Sequence, residues 1–178
     1  MKKILSLLAI SVLCACTGGS MADETESNFN NPFGYFTIIE KNGTYEVIPE
    51  MKIDQAIFEQ YIHNGGWIQS NPYGFTENGV IDEALISGSD VLWLFEQNNK
   101  LTSIHYIGPA GGFDKYDYSI CENILSFAGQ KYIICHIDQK KLILVSTGHT
   151  DNKFCGMIHF YNNAAEDVVQ QWKEGVSL

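Results

Sequence analysis

Residues 65–161 are a succession of short apolar runs, each closed by an Asn-Gly, Gly-rich or Asp/Asn/Lys-rich turn. Runs rich in β-branched and aromatic residues, repeating every 10 to 15 residues or roughly so, predict antiparallel strands with short links rather than βαβ units. The predicted strands fall at 67–75, 80–86, 91–95, 101–107, 116–127, 131–137, 141–146 and 155–161. Upstream, the runs 35–39 and 44–48 flank Lys41-Asn42-Gly43. Asn-Gly tolerates the positive φ that a type I′ turn needs at both central residues, so this pair predicts a hairpin, ended by Pro49. Two stretches have helical rather than alternating periodicity. Residues 53–63 place Ile53, Ala56, Ile57 and Tyr61 on one stripe, with Asp54 near the start and Asn64-Gly65 as the stop. Near the C-terminus, Asn163 resembles an N-cap with Glu166 at the third helical position, followed by an apolar face of Ala165, Val168, Val169 and Trp172. The expected fold class is therefore mainly β. It is an antiparallel up-and-down meander forming a barrel or a strongly curved sheet, with a short helix before it and a C-terminal helix packed on its wall or plugging a mouth.

The N-terminus follows different rules. Met1-Lys2-Lys3 is a basic leader, and the apolar run 4–13 is too short to span a bilayer. Leu13-Cys14-Ala15-Cys16 comes next and resembles the bacterial lipobox. That resemblance implies removal of the signal peptide 1–15, acylation of Cys16, and a lipid-anchored place in the cell envelope, at the outer membrane of a Gram-negative cell on its periplasmic face or surface. Residues 16–32 then carry Gly18-Gly19-Ser20, acidic residues and several asparagines, with little to bury, and predict a disordered tether. Residues 33–178 are expected to form a single domain.

A short helix, then Gly65-x-Trp67 opening the first strand, then a meander and a late helix, resembles the lipocalin-like domains of bacterial envelope lipoproteins. The resemblance implies an eight-stranded cup for a small molecule. The chain departs from true lipocalins in having no arginine to cover the Trp67 ring.

Charge narrows the partners. The chain holds 11 lysines, no arginine and 21 acidic residues, for a net charge of −10. Without Lys2 and Lys3 the balance is −12. Nucleic-acid binding needs a basic face, so nucleic acid is excluded as a partner. An acidic surface can instead steer a basic protein.

Catalytic and metal signals are weak. The histidines 63, 105, 136, 149 and 159 show none of the close pairs that hold metals, although His136 and His159 lie in late strands where they could meet across the sheet near Glu122 or Asp138. Cys121, Cys135 and Cys155 allow one disulfide and leave one thiol. The Gly-rich segment 108–112 lacks phosphate-loop spacing, and no cofactor motif is present. The chain therefore reads as a non-enzyme without a metal or cofactor. The aromatic residues carry more promise, because Tyr and Trp combine stacking area with a polar handle. The candidate ligand-binding set is Trp67, Trp93, Phe95, Tyr106, Tyr118 and Tyr132. The leading expectation is binding of a small apolar or amphipathic ligand. The alternative is a protein-interaction module: an inhibitor, an immunity factor or an outer-membrane assembly subunit.

Overall fold

The computed structural model describes residues 26–84, 90–106, 111–148 and 153–176, with backbone alone at 26–28, 90 and 106. Cys16 and the signal segment lie outside these residues.

The chain begins with β1 (Glu26–Asn28), β2 (Phe36–Lys41) and β3 (Thr44–Pro49), a three-stranded antiparallel sheet. Lys41 pairs with Thr44 across a two-residue loop, and Asn42 and Gly43 take φ of 52° and 78°. That is the turn Asn-Gly was expected to make. β1 pairs with β2 and Phe29 is buried. The end of the segment expected to be tether is therefore part of the fold. Phe29 gives it apolar area to bury, and the open edge of β2 gives its backbone partners.

α1 (Gln55–Ile62) follows, capped by the Asp54 carboxylate on the Ile57 N–H at 3.0 Å. The main sheet then runs β4 (Gly66–Gln69), β5 (Tyr73–Phe75), β6 (Ile81–Glu83), β7 (Asp90–Glu96), β8 (Lys100–Tyr106), β9 (Gly112–Cys121), β10 (Ile124–Phe127), β11 (Gln130–Ile137), β12 (Lys141–Thr147) and β13 (Gly156–Ala164). From β7 to β13 every strand pairs with its neighbour in sequence. The end of β13 returns to β4, and β4 pairs with β7. This closes an eight-stranded antiparallel barrel, the lipocalin-like alternative of the two expected architectures. The first strand is interrupted at Ser70-Asn71-Pro72, because β4 and β5 both lie along one edge of β13. The β5–β6 hairpin projects from that break.

Three apolar clusters follow the alternation of the strands. Trp93, Phe95, Leu101, Tyr118, Leu125, Ile134, Leu144 and Tyr161 point inward, where Ile53, just before α1, and Phe58 and Ile62 of α1 close one end. The intervening residues point outward. Ile143, Val145 and Ile158 meet Phe36, Ile38 and Val47 of the small sheet. Leu92, Leu94 and Ile104 meet Val169 of α2 (Glu166–Gly175). The closing helix therefore covers the wall, and α1 is the plug.

Several local expectations change. The run 116–127 is two strands, β9 and β10, because the chain reverses at Glu122-Asn123. Asn123 fixes that reversal, donating to the Met51 and Ile134 carbonyls at 2.9 and 2.8 Å while its oxygen accepts from the Ile53 N–H at 3.2 Å. β9 also starts at Gly112 rather than at residue 116. Asn163 does not cap α2. It stays in β13 opposite Trp67 and donates its amide to the Asn64 carbonyl, leaving Ala165 at the cap without a side-chain bond.

The β11–β12 turn carries a charge-dependent latch. The Asp138 carboxylate accepts from the Lys140 and Lys141 N–H groups at 2.7 and 2.8 Å and from His136 Nε2 at 3.0 Å. Burial raises its pKa, but these bonds lower it further, to about 2. A free Asp titrates near pH 3.9 or so, hence the native state holds this proton more weakly than the unfolded chain. The stability from this latch is complete above about pH 4 and is lost as pH falls towards 2. The group is half exposed, so the change is roughly 1 kcal/mol or less. In urea melts at pH 6 and pH 3, Asp138→Asn is expected to lose less stability on acidification than the wild type.

Candidate ligand mouth

The end of the barrel opposite α1 is ringed by the starts of β7, β9, β11 and β13 and the ends of β4, β8, β10 and β12. Residues 85–89, 107–110 and 149–152 lie outside those described. An eight-stranded barrel has an interior just wide enough to be filled by side chains or to hold one small molecule.

The lower half is filled. Phe58 packs edge-on against Phe95 and tilted against Tyr118. The Trp67 indole N–H donates to the Ile62 carbonyl at 2.9 Å, tying the first barrel strand to the plug. Trp67, Phe95 and Tyr118, three of the six aromatic candidates, thus sit at the closed end. Above them Trp93 stacks on Tyr161, with ring centroids 4.4 Å apart, and meets Phe127 and Tyr132 edge-on. Trp93 is 6% exposed and Tyr132 is half-buried, so these two candidates form the upper aromatic layer. Tyr106 is at the end of β8, and its side chain lies outside the described residues.

Polar groups face inward above that layer. His159 meets the Tyr132 ring and lies between Gln69 and Ser146. The Gln69 amide donates to Nδ1 at 3.2 Å, so in the neutral ring Nε2 holds the proton and faces Ser146 Oγ at 3.2 Å. On β8 and β9, His105 Nε2 lies 3.3 Å from Ser103 Oγ and 3.4 Å from Asp114 Oδ2. Burial, then the Asp114 charge and its hydrogen bond, raises the Tyr116 pKa. Burial raises Tyr132 and Tyr161. These phenols stay protonated and present hydroxyl groups rather than charge.

Ser103, His105 and Asp114 superficially resemble a nucleophilic triad. In a working relay the serine and the carboxylate bind different ring nitrogens, so that one side accepts a proton while the other orients the ring. Here both meet Nε2, and the arrangement is a polar lining. His136 and His159 do not meet. Cys135 and His136 together oppose Ile143 through a bulge in β11, which turns His136 outward onto the Tyr35 ring, 4.4 Å away, while His159 faces inward. His149 lies outside the described residues.

The three described cysteines are free thiols. Cys121 is exposed and Cys135 is buried, which pushes its pKa well up; Cys155 is half-buried. Cys155 is hydrogen-bonded to Tyr45, and this bond, more than burial, raises the phenol to about 12.

Gln69, Ser103, Asp114 and Ser146 carry no local motif that marks them for the mouth. Cross-strand register brings them together, and only their inward parity along each strand was available beforehand. No known protein family matches the sequence, and no curated protein matches it either.

Proposed function

We propose that this protein is a lipid-anchored, non-enzymatic component of the bacterial cell envelope that holds one small amphipathic molecule in the mouth of its barrel. The observation that carries the reading is the gradient inside the barrel. Aromatic rings of Trp93, Phe127 and Tyr132 form a floor, and His159, Gln69, His105 and Asp114 stand above it. A ligand with an apolar body and a hydrogen-bonding head fits that order, its body against the rings and its head among the imidazoles and carboxylate. Leu13-Cys14-Ala15-Cys16 supports the anchor. Acyl chains buried in lipid contribute about 0.8 kcal/mol per CH₂, enough with several chains for permanent attachment.

Native mass spectrometry of Cys16→Ser protein, purified without detergent, tests this reading. The expected result is a discrete added mass that is lost from a Tyr132→Ala, His159→Ala double variant. A bare chain mass throughout, together with no uptake of any added fatty acid, contradicts the reading.

A further inference from the structure

A second concave site lies on the outside of the barrel and meets the mouth lining at Gln69. It is an open groove of about 570 Å³ at the interruption between β4 and β5. Its walls come from distant parts of the chain. Phe33 leans in from the segment before β2, Gln69 ends β4, Ser70 and Asn71 belong to the interruption, Tyr73 opens β5, and Phe160 and Asn162 project outward from β13. Lys141 of β12 and Glu83 of β6 complete it.

Phe33, Tyr73 and Phe160 make mutual edge-on or tilted contacts, with centroids 4.8 to 5.8 Å apart, and all three are half-buried. The polar groups are distributed along β13. Lys141 lies beside Asn162 at one end, and Glu83 lies beside Tyr73, opposite Ile158, at the other. Four residues of strand separate those ends, a span of about 13 Å. The Asn71 amide donates to the Glu83 carboxylate and orients it. Among the described residues no side chain bonds the Asn162 amide or the Tyr73 hydroxyl.

We infer that this groove binds a neutral carbohydrate, independently of the ligand in the mouth. Three properties select that chemistry. An apolar ligand would remain wet in so open a groove and would bury Asn162 and Lys141 against hydrocarbon at a cost. A strongly charged ligand would meet a carboxylate at one end or an ammonium at the other. A neutral polyhydroxyl compound satisfies both, because each hydroxyl both donates and accepts, while the C–H faces of a sugar ring lie against aromatic rings. The amide, hydroxyl, carboxylate and ammonium supply the complementary donors and acceptors along a span long enough for a disaccharide.

Titration of ¹⁵N-labelled full-length protein with chitobiose and, separately, maltose tests the inference by NMR. The expected result is saturable shifts with at least one of the two sugars, centred on residues 70–73, 83 and 160–162. Asn162 is exposed and outside the core, so Asn162→Ala should fold normally and weaken binding about three- to ten-fold, the worth of one or two hydrogen bonds. Glu83→Gln should weaken it while leaving the melting temperature within about 2 °C. Three outcomes overturn the inference: no saturable shift with either sugar, shifts centred on Tyr132 and His159 instead, or unchanged affinity in both variants. The two sites share Gln69, but neither Tyr132 nor His159 lines the groove, so saturable sugar shifts should persist in the Tyr132→Ala, His159→Ala variant even where mouth binding is lost.

Discussion

Trp93→Ala is expected to destabilise the protein by about 3–5 kcal/mol, the range for removing a buried aromatic ring and leaving a cavity. Trp93 holds the centre of the barrel interior, stacked on Tyr161 and in edge contact with Phe95, Phe127 and Tyr132. No neighbour can collapse into its place without breaking its own stack, so the upper part of the range applies. Trp93→Phe retains much of the area and should cost less than half as much. Urea unfolding read by circular dichroism checks both, and equal midpoints for Ala and wild type would mean that the ring is not part of the core. The same residue lies beneath the mouth, so Trp93→Phe should also change the affinity for the proposed ligand while the barrel stays folded.

Gly156→Ala is the second large effect, and it acts by crowding rather than by loss. A Cβ at residue 156 would lie 2.2 Å from the Phe75 ring and 2.6 Å from the Ser146 carbonyl oxygen. The backbone here is paired on both sides, to Thr147 in β12 and to Phe75 in β5, so it cannot move away from either. Forcing extra atoms into a packed site costs typically 1–3 kcal/mol, and a clash against backbone places this variant at the top of that range or above. Phe75→Leu in the same chain removes the ring but leaves the carbonyl clash, so the double variant should recover part of the loss. The coupling between the two changes, read from a double-mutant cycle, is expected to be favourable and about 1 kcal/mol. Strict additivity would contradict the packing described for β5 and β13.

Much of this fold could be read in the sequence, for identifiable reasons. Asn42-Gly43 specified its own hairpin because few other pairs accept positive φ twice. The strands β7, β11, β12 and β13 were marked by apolar runs with turn residues at their ends. The stop at Asn64-Gly65 marked the end of α1. The reversal at Glu122-Asn123 was not legible, since Glu is no turn former and Asn123 acts through partners 72 residues upstream and 11 downstream. Asn163 has the local signature of a cap for α2 but stays in β13, because the register of β13 on β4 outweighs local capping preference. The bulge at Cys135 leaves no mark in composition, yet it decides that His136 faces out.

The candidate site was legible in kind but less so in membership. Aromatic residues on inward parity were recognisable, and Trp93 and Tyr132 do form the layer beneath the mouth. The same parity also selects Trp67, Phe95 and Tyr118, whose depth depends on where α1 docks, a tertiary fact. The polar half of the mouth comes from β4, β8, β9, β12 and β13, and no single stretch of chain contains it. Cross-strand partners become visible only once the register is fixed.

The proposal of a ligand in the mouth rests on room remaining above the aromatic layer between His159 and His105. The most direct measurement is a titration of Cys16→Ser protein with a fluorescent fatty acid, followed by emission and by competition with unlabelled acid. A saturable single-site curve that weakens at least ten-fold in the Tyr132→Ala, His159→Ala variant is the predicted result. A linear, unsaturable response that is the same in wild type and variant would contradict it.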